Sequence, residues 1–266
     1  MSTNDLERLE EFFLISRVPE KPVLIMPAVD LLNEEKLLHL MNIYSPLIQA
    51  KERPEVAAIF ISWYACVCAA LHHMMFHWND AVLDVSFSNL TVHLVHGESY
   101  PEFLFLINNN NLYREIPVEG RGAWVKKELD SFYREQVTPL VQVLARAARM
   151  NPILVWGQIV DAAYDQLEEE LDEVTEEERR QAILDHFQTR LMDIDASAFG
   201  LPKNPFATKR RYIEHPENPD HTMALKTACC LAYRIPFRES KEFIYCYTCP
   251  RLKENERALM KAAGQY

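Results

Sequence analysis

Four of the six cysteines crowd into 21 residues: an adjacent pair, Cys229 and Cys230, a gap of 15 residues, then Cys246 and Cys249 in a C-x-x-C. Thiolates gathered at one point can hold a zinc ion or an iron–sulfur cluster. The same sulfurs could instead form two disulfides, or one redox-active C-x-x-C disulfide. The adjacent pair argues against most of these. Neighbouring cysteines do not readily bridge each other, and structural zinc sites usually space their ligands by about two to four residues. A second group of possible ligands, Cys66, Cys68, His72, His73 and His77, falls on one predicted helix. Cys68–His72 and His73–His77 are i,i+4 pairs that could bind metal, but no carboxylate or second cysteine pair accompanies them in the sequence. Packed side chains are the expectation there, since free cysteines are commonly small buried apolar residues.

The flanking residues extend the C-terminal pattern. Cys229-Cys230-Leu231-Ala232-Tyr233-Arg234-Ile235-Pro236, followed by Cys246-x-x-Cys249-Pro250-Arg251-Leu252, resembles the C-terminal signature of the FhuF-type ferric-siderophore reductases. Upstream, Leu154-Val155-Trp156-Gly157-Gln158 is similar to that family's Leu-Trp-Gly-Asn-like segment. The likeness is concentrated at the C-terminal end and faint elsewhere. It implies that Cys229, Cys230, Cys246 and Cys249 ligate a [2Fe-2S] cluster. The gap between the pair and the C-x-x-C is longer here than in the family, with Arg238 to Phe243 filling the difference. A longer loop still closes cheaply, because closure entropy rises only logarithmically with length.

The resemblance further implies a cytosolic oxidoreductase of iron transport, which passes one electron to the Fe(III) of a siderophore so that Fe(II) is released. A hydroxamate or citrate–hydroxamate chelate is the expected substrate. No G-x-G-x-x-G turn for a nicotinamide or flavin is present, since Gly120 and Gly122 are too few and wrongly spaced. The electron must therefore come from outside, from a donor such as a ferredoxin or flavoprotein reductase. Beyond the cluster ligands no catalytic side chain is required. Tyr233, Arg234, Lys209, Arg210, Arg211 and Trp156 are the candidates for supporting the cluster or contacting substrate. Three rivals share the thiols: a structural-zinc binding module, a C-x-x-C thiol–disulfide oxidoreductase, and a [2Fe-2S] electron-transfer or redox-sensing protein with no siderophore substrate.

Charge agrees with a site in the C-terminal part. The 266 residues carry a formal net charge of −11, which argues against general nucleic-acid binding. From Lys209 onward, 11 Lys/Arg face 7 Asp/Glu, so this part is +4 and the remainder −15. A four-thiolate [2Fe-2S] cluster would carry about −2 oxidised and −3 reduced. Arg234, Arg238 and Arg251 are placed to offset it. No uninterrupted apolar run reaches the ~18 residues of a membrane span, and the N-terminus lacks a basic-then-apolar signal. A cytoplasmic protein, free or peripheral at the inner face of the membrane, is expected, and its reduced thiols suit ligation.

The elements that must position these residues read as α+β: mainly helical, with a small antiparallel sheet and a C-terminal cysteine-rich cluster-binding loop region. Residues 1–200 are expected to form the body and 201–266 the iron–sulfur segment packed on it. Leu6, Leu9, Phe12, Phe13 and Ile15 make a helix-like stripe over 5–16. Asn33 caps a helix to about Tyr44, and Pro54 opens the central one through about Phe76. Residues 82–108 alternate like two or three strands. A long helix follows from about Trp124 to Met150, and Asn151-Pro152 restarts one through Leu171. Nine of the 14 residues from Asp165 to Glu178 are acidic, the pattern of a solvated helix face or a docking face for a basic partner. Thr175 and Glu178 read as a capping box for a helix to Met192, residues 195–219 as an extended connection, and 253–263 as a terminal helix.

Overall fold

The computed structural model describes residues 8–235 and 245–266. The fold is mixed α/β, with helices dominant around a small sheet. Its centre is α3 (Arg53–His77), which is apolar on nearly every face and therefore buried on nearly every face. Pro54 occupies its first turn, and Glu55 turns back to accept from the N–H groups of Lys51 and Glu52 at 2.7 and 3.2 Å. By length and composition α3 could cross a membrane, but 78% of its most apolar window is buried inside the protein.

Around α3 lie α2 (Glu34–Leu47), α5 (Thr138–Ala148), α6 (Pro152–Glu173) and the sheet. Asn33 caps α2 by accepting from Glu35 and Lys36 N–H, and Asn151 caps α6 by accepting from Ile153 N–H. The expected helix 124–150 is α4 (Arg121–Phe132) and α5 joined by a π-helical turn, Tyr133–Val137. The turn leaves Tyr133 fully buried against Trp156, Phe199 and Phe206.

The main sheet has the order β1 (Leu14–Ile15), β5 (Pro101–Ile107), β4 (Leu90–His96), β2 (Leu24–Pro27). Strands β4 and β5 form the antiparallel hairpin that the alternation predicts, with Leu94 opposite Phe103 and Val92 opposite Phe105. Phe103 and Phe105 point inward onto Tyr44, Phe60 and Tyr64. Strand β2 pairs antiparallel with β4, whereas β1 pairs parallel with β5. This corrects two expectations: the sheet is not wholly antiparallel, and the stripe over 5–16 is not one helix. Within its described part, helix α1 covers 8–10 before Phe13 turns at φ 56° and accepts from Phe105 N–H at 2.8 Å. Residues 5–7 of that stripe lie outside the described residues. Two short antiparallel ladders, β3 (Ala81–Leu83) with β6 (Tyr113–Glu115) and the hairpin β7 (Tyr212–Glu214) with β8 (Thr222–Ala224), complete the strands among the described residues.

After α6 comes α7 (Glu177–Phe187), continued by a π-helical turn through Met192. Glu176 rather than Thr175 stands at its N-cap, without a side-chain cap bond, so the expected capping box does not form. The connection that follows is threaded into the core. Phe199 and Phe206 are buried, and Asn204 binds the carbonyls of Leu191, Met192 and Ile194 at 2.9–3.0 Å. The terminal helix is α8 (Glu254–Ala262). Side chains of the C-terminal part (Cys229, Leu231, Tyr247, Leu252 and Met260) belong to the same hydrophobic core as α3 and α6.

His72 of α3 lies 2.8 Å from the Tyr133 hydroxyl in this core, and burial pushes its pKa down from 6.5 to about 4. Above the unfolded value both states are neutral there. As the pH falls through that value the unfolded chain gains a proton that the native site refuses, so stability is lost until the folded value is reached. Urea unfolding between pH 7 and pH 4 is expected to show this loss, up to about 3 kcal/mol, as the difference in pH slope between the native chain and His72→Gln.

Candidate metal centre

Helix α6 builds the floor of the cysteine site. A Cβ on Gly157 would sit 2.3 Å from the Ala228 methyl, so only glycine lets the segment Thr227–Ala228–Cys229 lie this close to the helix. One turn on, Asp161 accepts from Thr227 N–H at 2.8 Å and from Thr227 Oγ1 at 3.0 Å, and also from the backbone of Ala228. The single Thr227 hydroxyl proton is shared between Asp161 and the Gly157 carbonyl, which also lies 3.0 Å from Oγ1. Burial raises the Asp161 pKa, opposed by the two Thr227 bonds and by Arg210 at 3.6 Å. Arg210 itself is buried, lies 4.6 Å over the Tyr164 ring and reaches Glu168 at 3.6 Å.

The chain then turns sharply. Leu231 is left-handed at φ 58°, an unusual and costly state for a branched residue, of order 1–2 kcal/mol. The turn aims Leu231 N–H at the Cys229 sulfur. Across from it, Cys249 N–H donates to Cys246 O at 2.9 Å, and Arg251 N–H is aimed at the Cys249 sulfur. Lys226 N–H to Thr248 O at 3.1 Å ties the two cysteine segments together. Arg257 of α8, also buried, closes the C-x-x-C loop from behind: its guanidinium donates to the carbonyls of Tyr247, Cys249 and Leu252.

These supports bring sulfurs together. Cys249 Sγ donates to Cys229 Sγ across 3.7 Å, and Cys249 is also hydrogen-bonded to Cys246. The separation is too long for a disulfide, whose sulfurs are about 2.05 Å apart. It matches the edge of a tetrahedral metal site: two sulfurs at ~2.3 Å from one ion lie roughly 3.8 Å apart. The bond from Cys249, with Leu231 N–H and the Arg251 charge, lowers the Cys229 pKa below the usual thiol range despite burial, which favours negative charge on this sulfur. Hydrogen bonds to Cys229 and Cys246, together with burial, keep Cys249 protonated. Metal binding would release that proton. Cys230 is half-buried at the same turn.

No protein family, curated protein or solved structure matches the chain. Tyr233 and Arg234 stand at the rim of the cysteine site. Arg234 bonds to Glu52 at 2.9 Å and Tyr233 Oη at 3.1 Å, which pins the cysteine turn to the start of α3. Arg251 donates to the same hydroxyl at 2.8 Å, and Tyr245 packs edge-on against the Tyr233 ring. Lys209 and Arg211 are exposed on the flanking segment. Trp156 is 1% exposed and lies under a cleft of about 280 Å³ that is also lined by Gly157, Lys203, Asn204 and Thr227. Arg238 lies outside the described residues.

Sequence reasoning passed over Asp161, Thr227 and Arg257. Asp161 comes before the acidic run, and its two bonds go to a residue distant in the chain. Arg257 stands three residues after Glu254, which reads as an exposed ion pair until the fold buries it. Gly157→Ala is expected to force α6 and the cysteine segment apart and to destabilise the protein by about 1–3 kcal/mol in urea unfolding. Adding Ala228→Gly, which removes the opposing methyl, restores most of the loss.

Proposed function

We propose that this chain is a ferric-siderophore reductase in which Cys229, Cys230, Cys246 and Cys249 hold a [2Fe-2S] cluster. The observation that carries the reading is the 3.7 Å approach of Cys229 and Cys249, with backbone N–H groups aimed at both sulfurs. The donor set, all thiol and reduced, suits iron–sulfur ligation. When bound, such a cluster supplies one electron at a time, enough to turn tightly chelated Fe(III) into Fe(II), which the hard oxygen donors of a siderophore hold weakly.

The chain's own residues have four tasks in this reading. Asp161, Gly157 and Thr227 fix the first cysteine segment to the body, and Arg257 fixes the second. Leu231 and Arg251 N–H groups stabilise negative charge on sulfur. Arg251 adds a positive charge beside Cys229, and Tyr233 and Arg234 form the adjoining rim. The cleft over Trp156 next to Thr227 is the place for part of the chelate, with Lys203 as its cation. The chelate is of the hydroxamate or citrate–hydroxamate type, and the donor is a separate ferredoxin or flavoprotein in the reducing cytoplasm.

Anaerobic purification followed by a visible spectrum and iron, zinc and sulfide assays tests this. Near-equal iron and acid-labile sulfide, with colour that bleaches on reduction and returns on adding a ferric siderophore as Fe(II) appears, supports the proposal. A colourless protein with zinc makes the chain a binding module. A cluster that never passes its electron to the chelate makes it an electron-transfer or sensing protein. Cys249→Ser is expected to abolish the colour. Arg251→Gln is expected to retain it and lower the reduction potential, on the order of the ~59 mV that is tenfold for a one-electron couple.

A further inference from the structure

A second set of ligand atoms forms where α3 packs on α6. His73 and His77 lie one turn apart on α3, and the fold places Glu170 of α6 between them. Glu170 Oε1 is 3.2 Å from His77 Nε2 and 3.9 Å from His73 Nδ1, and the ligand atoms of all three residues lie within 4.8 Å of one another. No carboxylate accompanies these histidines in the sequence; the fold brings one from another helix. Two ligands on one small divalent ion at ~2.1 Å stand roughly 3.4 Å apart in tetrahedral geometry. The observed separations bracket that edge, so small side-chain rotations complete the set.

The surroundings suit a cation. His77 Nε2 is buried and meets the Glu170 carboxylate at 3.2 Å as an ion pair without the alignment of a hydrogen bond, so its lone pair can turn to an ion at small cost. Gln166 donates to Glu170 Oε1 at 3.0 Å, orienting the carboxylate as outer hydrogen bonds orient metal ligands. His73 and Glu170 line an open cleft of about 300 Å³ whose walls, among the described residues, include Glu11, Asp165, Glu169 and Glu173 against the one cation Arg8. That excess of acids would draw a positive ion inward.

We propose that His73, His77 and Glu170 are a binding site for a first-row divalent metal ion such as Zn²⁺ or Fe²⁺, with its remaining positions open to the cleft. Two imidazoles and one carboxylate select this class over Mg²⁺ or Ca²⁺, which prefer oxygen alone. Three protein ligands with free positions make the site exchangeable rather than closed. The ion would clamp α6, the helix that carries Gly157 and Asp161, to the central helix. The inference does not rest on the cysteine reading.

The test is calorimetric titration of Zn²⁺ into the full-length protein, paired with zinc X-ray absorption of the loaded sample. The native chain is expected to take up one more zinc than His77→Ala, and that zinc to show nitrogen and oxygen neighbours at ~2.0 Å with imidazole scattering rather than sulfur at ~2.3 Å. Glu170→Gln is expected to weaken it about tenfold or more. If His77→Ala does not fold by circular dichroism, His73→Gln carries the same comparison. Equal stoichiometry and affinity in the native chain and the variants, or sulfur neighbours alone, would overturn the proposal and leave the three residues as an ion pair.

Discussion

Everything at the cysteine site depends on how closely a backbone can approach a helix. Gly157 lets the Thr227–Ala228 segment pass where any side chain on α6 would collide with it. Asp161 then uses that closeness, collecting donors from Thr227 and Ala228 with one carboxylate. A buried acid bound only to backbone and hydroxyl donors would be costly; Arg210, held over Tyr164, supplies the compensating charge. The cysteine turn is therefore anchored by packing, hydrogen bonding and an ion pair that converge on one helical turn.

The two arginines of the opposite segment divide their work. Arg257 lies buried behind the C-x-x-C and binds carbonyls, so it shapes the loop. Arg251 lies at the rim, where its charge acts on Cys229 and its hydrogen bond holds Tyr233. One of them determines where the sulfurs are, and the other how readily they carry negative charge. Composition shows only that the C-terminal part is basic.

Local rules carried much of the helical architecture. Asn33, Pro54 and Asn151-Pro152 start helices where capping chemistry says they should, because an N-cap satisfies orphan N–H groups with nearby atoms alone. The alternation of Phe103, Phe105 and Ile107 likewise forecasts the buried face of β5. Misreadings arose where a distant partner competes with a local preference. The apolar stripe around Phe13 has helical spacing, yet an available edge of β5 draws Leu14–Ile15 into a parallel pairing. Thr175 had the pattern of a cap, but the chain enters α7 one residue later. The acidic run reads as a solvated helix face or a docking face for a basic partner, whereas its spacing on α6 turns Glu170 toward two histidines and Glu168 toward Arg210.

By itself the sequence determined which thiols are available, their spacing and the caps that delimit the long helices. These are properties of residue type and short-range geometry, and they survive without knowledge of the fold. Only the tertiary structure decided that Cys229 meets Cys249, that Asp161 and Arg257 hold the two cysteine segments, and that a carboxylate joins His73 and His77. Each of these pairs comes from elements separated in the chain, and no local preference encodes their meeting. Their juxtaposition follows from burying α3 on nearly every face, which brings α6 alongside it, and from the close approach of the C-terminal segment to α6 at Gly157.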